Sequence, residues 1–144
     1  FGAEVILHGE ILDETFGLAQ QIAQERELCL VPPYDDEKII TGQGTVALEM
    51  LAVHPNLDIL VVPVGGGGLI SGNAIAAKTL QPNIKIIGVQ TARFPSMQQA
   101  LEGQPVTCGK STIADGIAIK APGKLTLPIV QKLVDQILLV DEDN

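Results

Sequence analysis

Short apolar runs alternate along the chain with longer stretches in which apolar residues follow a helical period. Apolar runs of about four to eight residues favour strands, and a period of about 3.6 residues favours helices. Strands are predicted at 4–8, 28–31, 57–64, 84–90 and 136–140, and helices at 13–27, 44–54, 69–80 and 125–135. Because this alternation is typical of parallel βαβ units, the pattern predicts an α/β fold: an open parallel sheet with helices on both faces.

The pattern ends on a strand, which is unusual for a complete α/β domain. The strand predicted at 57–64 is apolar on both faces, as in the centre of a parallel sheet. The strand at 136–140 is followed only by "DEDN", which we interpret as the exposed start of a further helix. The chain also begins with Phe1 rather than Met. We therefore expect a piece of a longer protein, containing only part of its sheet.

Composition and charge narrow the class of partner. A hydrophobic share of 46% argues against disorder, and a formal net charge of −8 argues against nucleic acid or an anionic membrane. The uncharged stretch 59–77 contains Pro63 and five glycines, which would leave backbone groups unsatisfied in lipid. We therefore predict no membrane span and expect a small-molecule or protein partner.

Other reactive side chains favour structural roles. Cys29 and Cys108 have no CxxC spacing, which suits a reduced compartment such as the cytoplasm better than a disulfide framework. His8 and His54 lack a zinc-binding motif, so no metal site is predicted. The adjacent carboxylates at 35–37 are predicted to form a solvated turn.

The stretch "VVPVGGGGLISG" at 61–72 changes this picture. Ligands of an open parallel sheet bind at the carboxyl ends of its strands, and the four glycines follow such an end. Glycines can turn successive N–H groups toward an anion, and the helix that follows adds its positive N-terminus. The stretch therefore predicts a phosphate-binding loop. A tightly packed turn without a ligand is the alternative.

The residues around the glycines exclude two common nucleotide motifs. The dinucleotide fingerprint GxGxxG fails because Ile70 and Ser71 stand where a glycine is needed. The next strand ends in Gln90, not in the acidic residue that would bind a ribose. An ATP-binding P-loop would need a lysine where Asn73 stands. A single phosphate monoester held by main-chain N–H groups fits best.

The motifs "PYDDEKIITGQGT", "PVGGGGLISG" and "KIIGVQ" identify a family resemblance. The chain resembles the fold type II pyridoxal-phosphate enzymes, and within them the catabolic, TdcB-like threonine ammonia-lyases, also called threonine dehydratases. The resemblance covers essentially the whole chain, through "TIADGIAIKAPGKLT" to "LVDQILLVDED". Sulfhydrylases of the same fold carry a Gly-Thr-Gly-type loop instead. The implied cofactor is pyridoxal 5'-phosphate.

The resemblance also implies roles for particular residues. The backbone at five positions would hold the cofactor phosphate: Gly65, Gly66, Gly67, Gly68 and Leu69. Gly116, in "ADG", would lie beside the cofactor ring, and Tyr34 would lie near the cleft between two domains. Residues 1–40 would complete the small mobile domain, and residues 41–144 would form part of the large cofactor domain.

The implied reaction deaminates L-threonine to 2-oxobutanoate and ammonia, or L-serine to pyruvate and ammonia, in threonine catabolism or isoleucine biosynthesis. The intact enzyme would be a homodimer or homotetramer. In the family, the lysine that binds the cofactor covalently has a Ser-x-Lys-x-Arg-Gly context. None of the lysines of this chain has that context: Lys38, Lys78, Lys85, Lys110, Lys120, Lys124 and Lys132. We therefore expect no catalytic residue in this chain, and no activity from it alone.

Two other functions stay open. The chain could be a non-catalytic module that binds a phosphate ligand or a protein partner. It could also belong to a serine racemase-type enzyme. Some serine racemases bind a divalent cation through acidic groups just after the strand that ends here at Gln90, and this chain offers Phe94 and Ser96 in that region. Because these residues are not acidic, they are poor ligands for such a cation, and this weakens the racemase interpretation.

Overall fold

The computed structural model describes residues 2–9 and 12–142, which divide into two compact units. Unit 1 comprises Phe1–Pro32 and unit 2 comprises Pro33–Asn144. Contacts within this chain alone define these units. The domain boundary near residue 40, which the resemblance implies for an intact enzyme, therefore stays a prediction. Asp143 and Asn144 of the expected further helix lie outside the described residues.

The described part of unit 1 contains one helix, α1 at Leu12–Glu25, close to the predicted 13–27. The strands predicted at 4–8 and 28–31 are wrong, because both segments lack regular structure. A strand needs a neighbouring strand to receive its N–H and C=O groups, and the described part of unit 1 contains none. The apolar side chains of the first segment accordingly stay in solvent, with Val5 80% and Leu7 92% exposed.

Unit 2, as far as residue 142, contains the sheet and four further α-helices. Its elements are α2 (Glu37–Val53), β1 (Ile59–Pro63), α3 (Gly68–Leu80), β2 (Lys85–Thr91), α4 (Ser96–Leu101), α5 (Thr126–Leu133) and β3 (Gln136–Val140). A short 3-10 helix at Asp115–Ile117 precedes α5. The strands are parallel in the order β1-β2-β3. The predicted parallel α/β sheet is confirmed.

The core of unit 2 lies against one face of this sheet. Leu60 pairs with Ile86, and Ile137 pairs with the residue two positions after Ile86, so these three side chains share the buried face. β1 was expected to be buried on both faces. It is instead an edge strand among the described residues, and Val61, on its other face, is 58% exposed. No described strand pairs with its outer edge, and its second face is exposed along the strand.

Helix α2 begins seven residues before the predicted start at residue 44. The side chain of Asp36 caps it by accepting hydrogen bonds from the N–H groups of Lys38, at 2.8 Å, and Ile39, at 3.2 Å. An aspartate at this position satisfies N–H groups that the helix itself leaves unpaired. The prediction of a solvated turn at 35–37 is therefore wrong.

No helix within residues 2–9 and 12–142 is both long and apolar enough to cross a membrane.

Asp135 connects α3 with the start of β2. Its Oδ2 accepts hydrogen bonds from the N–H of Ile86 at 2.7 Å and from the Nζ of Lys78 at 2.8 Å. The N–H of Ile86, and then the ammonium of Lys78, lower the pKa of Asp135 because both stabilise the carboxylate. A lowered folded-state pKa contributes stability above the unfolded value of about 4, and this contribution is lost as the pH falls through the folded value.

We therefore expect Asp135→Asn to destabilise the protein more at pH 7 than at pH 3. Urea unfolding at the two pH values would measure this difference in the free energy of unfolding. Lys78→Met is the control, and it should retain part of the pH dependence because the N–H of Ile86 still faces the carboxylate. An equal effect of Asp135→Asn at both pH values would contradict the prediction.

Candidate functional site

The glycine loop at residues 65–68 lies where the sequence predicts it, at the carboxyl end of β1. Val64 continues the sheet for one residue by donating its N–H to the carbonyl of Val89 at 2.8 Å. The backbone then turns, and Gly67 adopts a φ of +97° directly before α3. The carbonyl of Gly67 accepts the N–H of Ser71 at 3.0 Å, which closes the first turn of the helix. The loop thus joins a strand end to a helix N-terminus.

The loop carries backbone donors that have no acceptor among the residues that the structure describes. None of the N–H groups of residues 65–69 donates a hydrogen bond to another described residue. Gly66, Gly67 and Gly68 are nevertheless buried. Buried N–H groups without a partner are rare in proteins, and the start of a helix also carries partial positive charge. The loop therefore has the chemistry of an anion site, and a phosphate group fits it.

Tyr34 lies against this loop. A Cβ atom on Gly66 would overlap the ring of Tyr34, and one on Gly68 would lie 2.9 Å from the Cβ of Tyr34. The hydroxyl of Tyr34 donates to the carbonyl of Ala121 at 3.3 Å. These two glycines are therefore required by packing as well. The alternative of a tightly packed turn explains their lack of a side chain, but it does not explain the unpaired N–H groups.

The segment that contains Gly116 also reaches the loop. A Cβ atom on Gly65 would lie 3.1 Å from the Cα of Ile117 and 3.0 Å from the Cγ1 of Ile119. Gly116 itself is exposed, and a Cβ atom there would meet no atom within 4 Å. The structure thus brings the neighbour of Gly116 to the loop. Contact between Gly116 and a cofactor ring stays a prediction.

A network that the sequence does not indicate holds the other side of the loop. The carbonyl of Gly66 accepts hydrogen bonds from the Oγ1 of Thr126 at 2.6 Å and from the N–H of Gly123 at 3.1 Å. The carboxylate of Asp35 accepts the N–H groups of residues 124–126 at 2.8, 2.9 and 3.3 Å. Asp35 is therefore bound to the start of α5 and is not part of a solvated turn.

Gln90, at the end of β2, has a structural role. Its side chain is fully buried, and its Oε1 accepts the N–H of Gln98 in the first turn of α4 at 3.2 Å. Among residues 2–9 and 12–142, no group of three or more His, Cys, Asp or Glu side chains could hold a metal ion. Lys110 is exposed in the loop that follows α4. The prediction that this chain contains no catalytic residue stays a prediction.

Comparison with known proteins identifies the class. The profile of the family described as "pyridoxal-phosphate dependent enzyme" matches residues 1–144. The chain therefore belongs to the pyridoxal-phosphate-dependent enzymes, and the cofactor of the family is the one that the resemblance implies. The glycine loop has the chemistry that the phosphate of this cofactor needs.

Two individual relatives show which enzymes of this family the chain is similar to. The chain is 46% identical to an L-threonine ammonia-lyase of Thermotoga maritima, over 99% of this chain and 36% of that protein. It is 41% identical to the catabolic L-threonine dehydratase TdcB of Escherichia coli K12, over 100% of this chain and 44% of that protein. The predicted resemblance to threonine ammonia-lyases is confirmed.

A solved structure confirms the fold type. Maize serine racemase superposes with a TM-score of 0.90 and 35% sequence identity, over 99% of this chain and 45% of that one. The predicted fold type II architecture is therefore confirmed. The chain spans less than half the length of each of these three proteins.

Proposed function

We propose that this chain forms the phosphate-binding part of a pyridoxal-phosphate-dependent threonine ammonia-lyase. That enzyme would convert L-threonine to 2-oxobutanoate and ammonia, and L-serine to pyruvate and ammonia. The observation that supports this proposal most is the glycine loop: its residues 66–68 are buried, and its N–H groups have no acceptor among the described residues, in a chain similar to ammonia-lyases. The pathway would be threonine catabolism or isoleucine biosynthesis.

In this proposal the residues of the chain bind the cofactor and orient it. The backbone N–H groups of residues 65–69 hold the phosphate, and Gly116 lies beside the ring. Tyr34 packs against Gly66 and Gly68 of this loop. When bound, pyridoxal phosphate supplies the electron-withdrawing ring that assists loss of the α-proton and the β-hydroxyl of the substrate. The lysine that binds the cofactor covalently would lie in sequence outside these residues.

The activity test uses the intact protein with pyridoxal phosphate. We expect L-threonine to yield 2-oxobutanoate and ammonia in equal amounts, measured with lactate dehydrogenase and by an ammonia assay. Borohydride reduction followed by mass spectrometry should place the cofactor on a lysine outside this chain. Binding of pyridoxal phosphate without turnover of either amino acid would instead support a non-catalytic module.

A serine racemase-type enzyme is the second candidate, supported by the TM-score of 0.90 to the maize racemase. Formation of D-serine from L-serine, measured by chiral chromatography in the same reactions, distinguishes the two. The higher identities to the two threonine enzymes, at 46% and 41%, favour the lyase. A homo-oligomeric state and a cytoplasmic location stay predictions.

A further inference from the structure

The carbonyl of Gly66 is anchored by a buried hydroxyl 60 residues away along the chain. Thr126 is fully buried, and its Oγ1 lies 2.6 Å from this carbonyl oxygen. Among residues 2–9 and 12–142, the only other acceptor near this hydroxyl is the carbonyl of Gly123, at 3.4 Å. A hydroxyl has a single proton to donate, so the shorter contact receives it. The N–H of Gly123 approaches the same carbonyl of Gly66 at 3.1 Å.

This anchor fixes the direction of the next N–H group. In a planar trans peptide, the C=O of Gly66 and the N–H of Gly67 point in opposite directions. With the carbonyl turned toward Gly123 and the first residue of α5, the N–H of Gly67 must turn away from them. A peptide between two glycines has few steric barriers of its own, so hydrogen bonds to its carbonyl decide its orientation.

We propose that Thr126 is a positioning residue of the phosphate site, whose hydroxyl holds the Gly66–Gly67 peptide so that the N–H of Gly67 faces the anion. This inference rests on the proposed function, because it assigns the anion to the cofactor phosphate. Thr126 acts through the backbone of Gly66 and does not itself touch the ligand.

Asp35 extends the anchor. Its carboxylate binds the N–H groups of residues 124–126 and so fixes the backbone from which the hydroxyl of Thr126 projects. Gly123 lies against the carboxylate of Asp35, as shown by the overlap that a Cβ atom on Gly123 would make with it. The arrangement therefore runs from Asp35 through Thr126 to the Gly66 carbonyl. Each step is a hydrogen bond of the described structure.

The first test needs no ligand. In the intact protein, Thr126→Val removes the hydroxyl and keeps the shape of the side chain. The N–H of Gly123 then has to hold the Gly66 carbonyl alone, and its hydrogen exchange should become about five- to tenfold faster, the effect of losing one hydrogen bond. Thr126→Ser keeps the hydroxyl and should exchange like the wild type.

The control for hydroxyl removal is Thr79→Val. The hydroxyl of Thr79 donates to the carbonyl of Ile75 at 2.6 Å, within α3 but at the end away from the loop. This variant should leave exchange at Gly123 unchanged. If Thr126→Val does not fold, Thr126→Ala removes the same hydroxyl with a smaller side chain and takes its place.

The second test measures the phosphate contribution. The ratio of the dissociation constants for pyridoxal and pyridoxal phosphate reports only what the phosphate adds. We expect Thr126→Val to reduce this ratio about tenfold, the effect of losing one charge-assisted hydrogen bond, and Thr126→Ser and Thr79→Val to preserve it. General destabilisation would weaken both ligands alike and leave the ratio unchanged.

The two tests separate the inference from the proposed function. Unchanged exchange at Gly123 in Thr126→Val would overturn the anchor, whatever the ligand does. Altered exchange with an unchanged affinity ratio would overturn its role in phosphate binding. If wild-type protein bound pyridoxal as tightly as pyridoxal phosphate, the proposed phosphate site would fail, while exchange at Gly123 would still decide whether Thr126 holds the loop.

Discussion

Replacement of Gly67 by alanine is expected to lower the affinity for pyridoxal phosphate by at least about a hundredfold, or about 2.7 kcal/mol. Gly67 has a φ of +97°, a conformation that costs a side chain-bearing residue about 1–2 kcal/mol. Its Cβ atom would also lie 2.6 Å from the Cε of Met97 and 2.8 Å from the Oγ1 of Thr126. Both effects move the backbone whose N–H groups would bind the phosphate.

The matched control for this variant is Gly103→Ala. Gly103 also has a positive φ, of +67°, but a Cβ atom there would meet nothing within 4 Å. It should lose about 1–2 kcal/mol of stability from backbone strain and keep its affinity for the cofactor. Calorimetric titration of both variants with pyridoxal phosphate measures the difference. Wild-type affinity in Gly67→Ala would show that the loop does not bind the phosphate.

Replacement of Gly72 by alanine is expected to lower the free energy of unfolding by about 3 kcal/mol, the upper part of the usual range for overpacking. Gly72 lies where α3 crosses α2. A Cβ atom on it would overlap the carbonyl oxygen of Ile40 and the backbone nitrogen of Gly44. Backbone atoms of a helix cannot rotate away as a side chain can, so α2 and α3 would have to separate.

Gly42→Ala provides the control within α2. A Cβ atom on Gly42 would meet nothing within 4 Å, and alanine is the better helix former. This variant should raise the free energy of unfolding by about 0.5–1 kcal/mol. Urea denaturation of the two variants would compare them directly. The close crossing of α2 and α3 would be refuted by a Gly72→Ala protein as stable as the wild type.

The glycine loop could be predicted from the sequence because the pattern that indicates it lies within a few consecutive residues. Four glycines follow an apolar run and precede a helical pattern, and the structure has them between β1 and α3. Helix α4 lies within residues 91–124, where the pattern predicts no element. The three strands of unit 2 and the helices α3 and α5 were predictable for the same reason as the loop. Each of these elements forms within a short stretch, and the parallel order of strands follows from their alternation with helices.

The rest depends on partners that are distant in the sequence. The contact between Asp35 and the N–H of Thr126 spans 91 residues, and the motifs that contain these two residues do not indicate it. A threonine near a helix start is ordinarily interpreted as a cap, and adjacent aspartates as a turn. The strand predictions at 4–8 and 28–31 failed for a related reason, since strand residues form a strand only beside another strand.

A crystal structure of the intact protein with pyridoxal phosphate would test the phosphate site most directly. We predict that the phosphate oxygens lie within hydrogen-bond distance of the N–H groups of residues 65–69. The N–H of Gly67 should point at the phosphate, and the carbonyl of Gly66 should remain bound to Thr126. A phosphate bound elsewhere, with the glycine loop closed on other protein atoms, would contradict the assignment of this loop as the cofactor site.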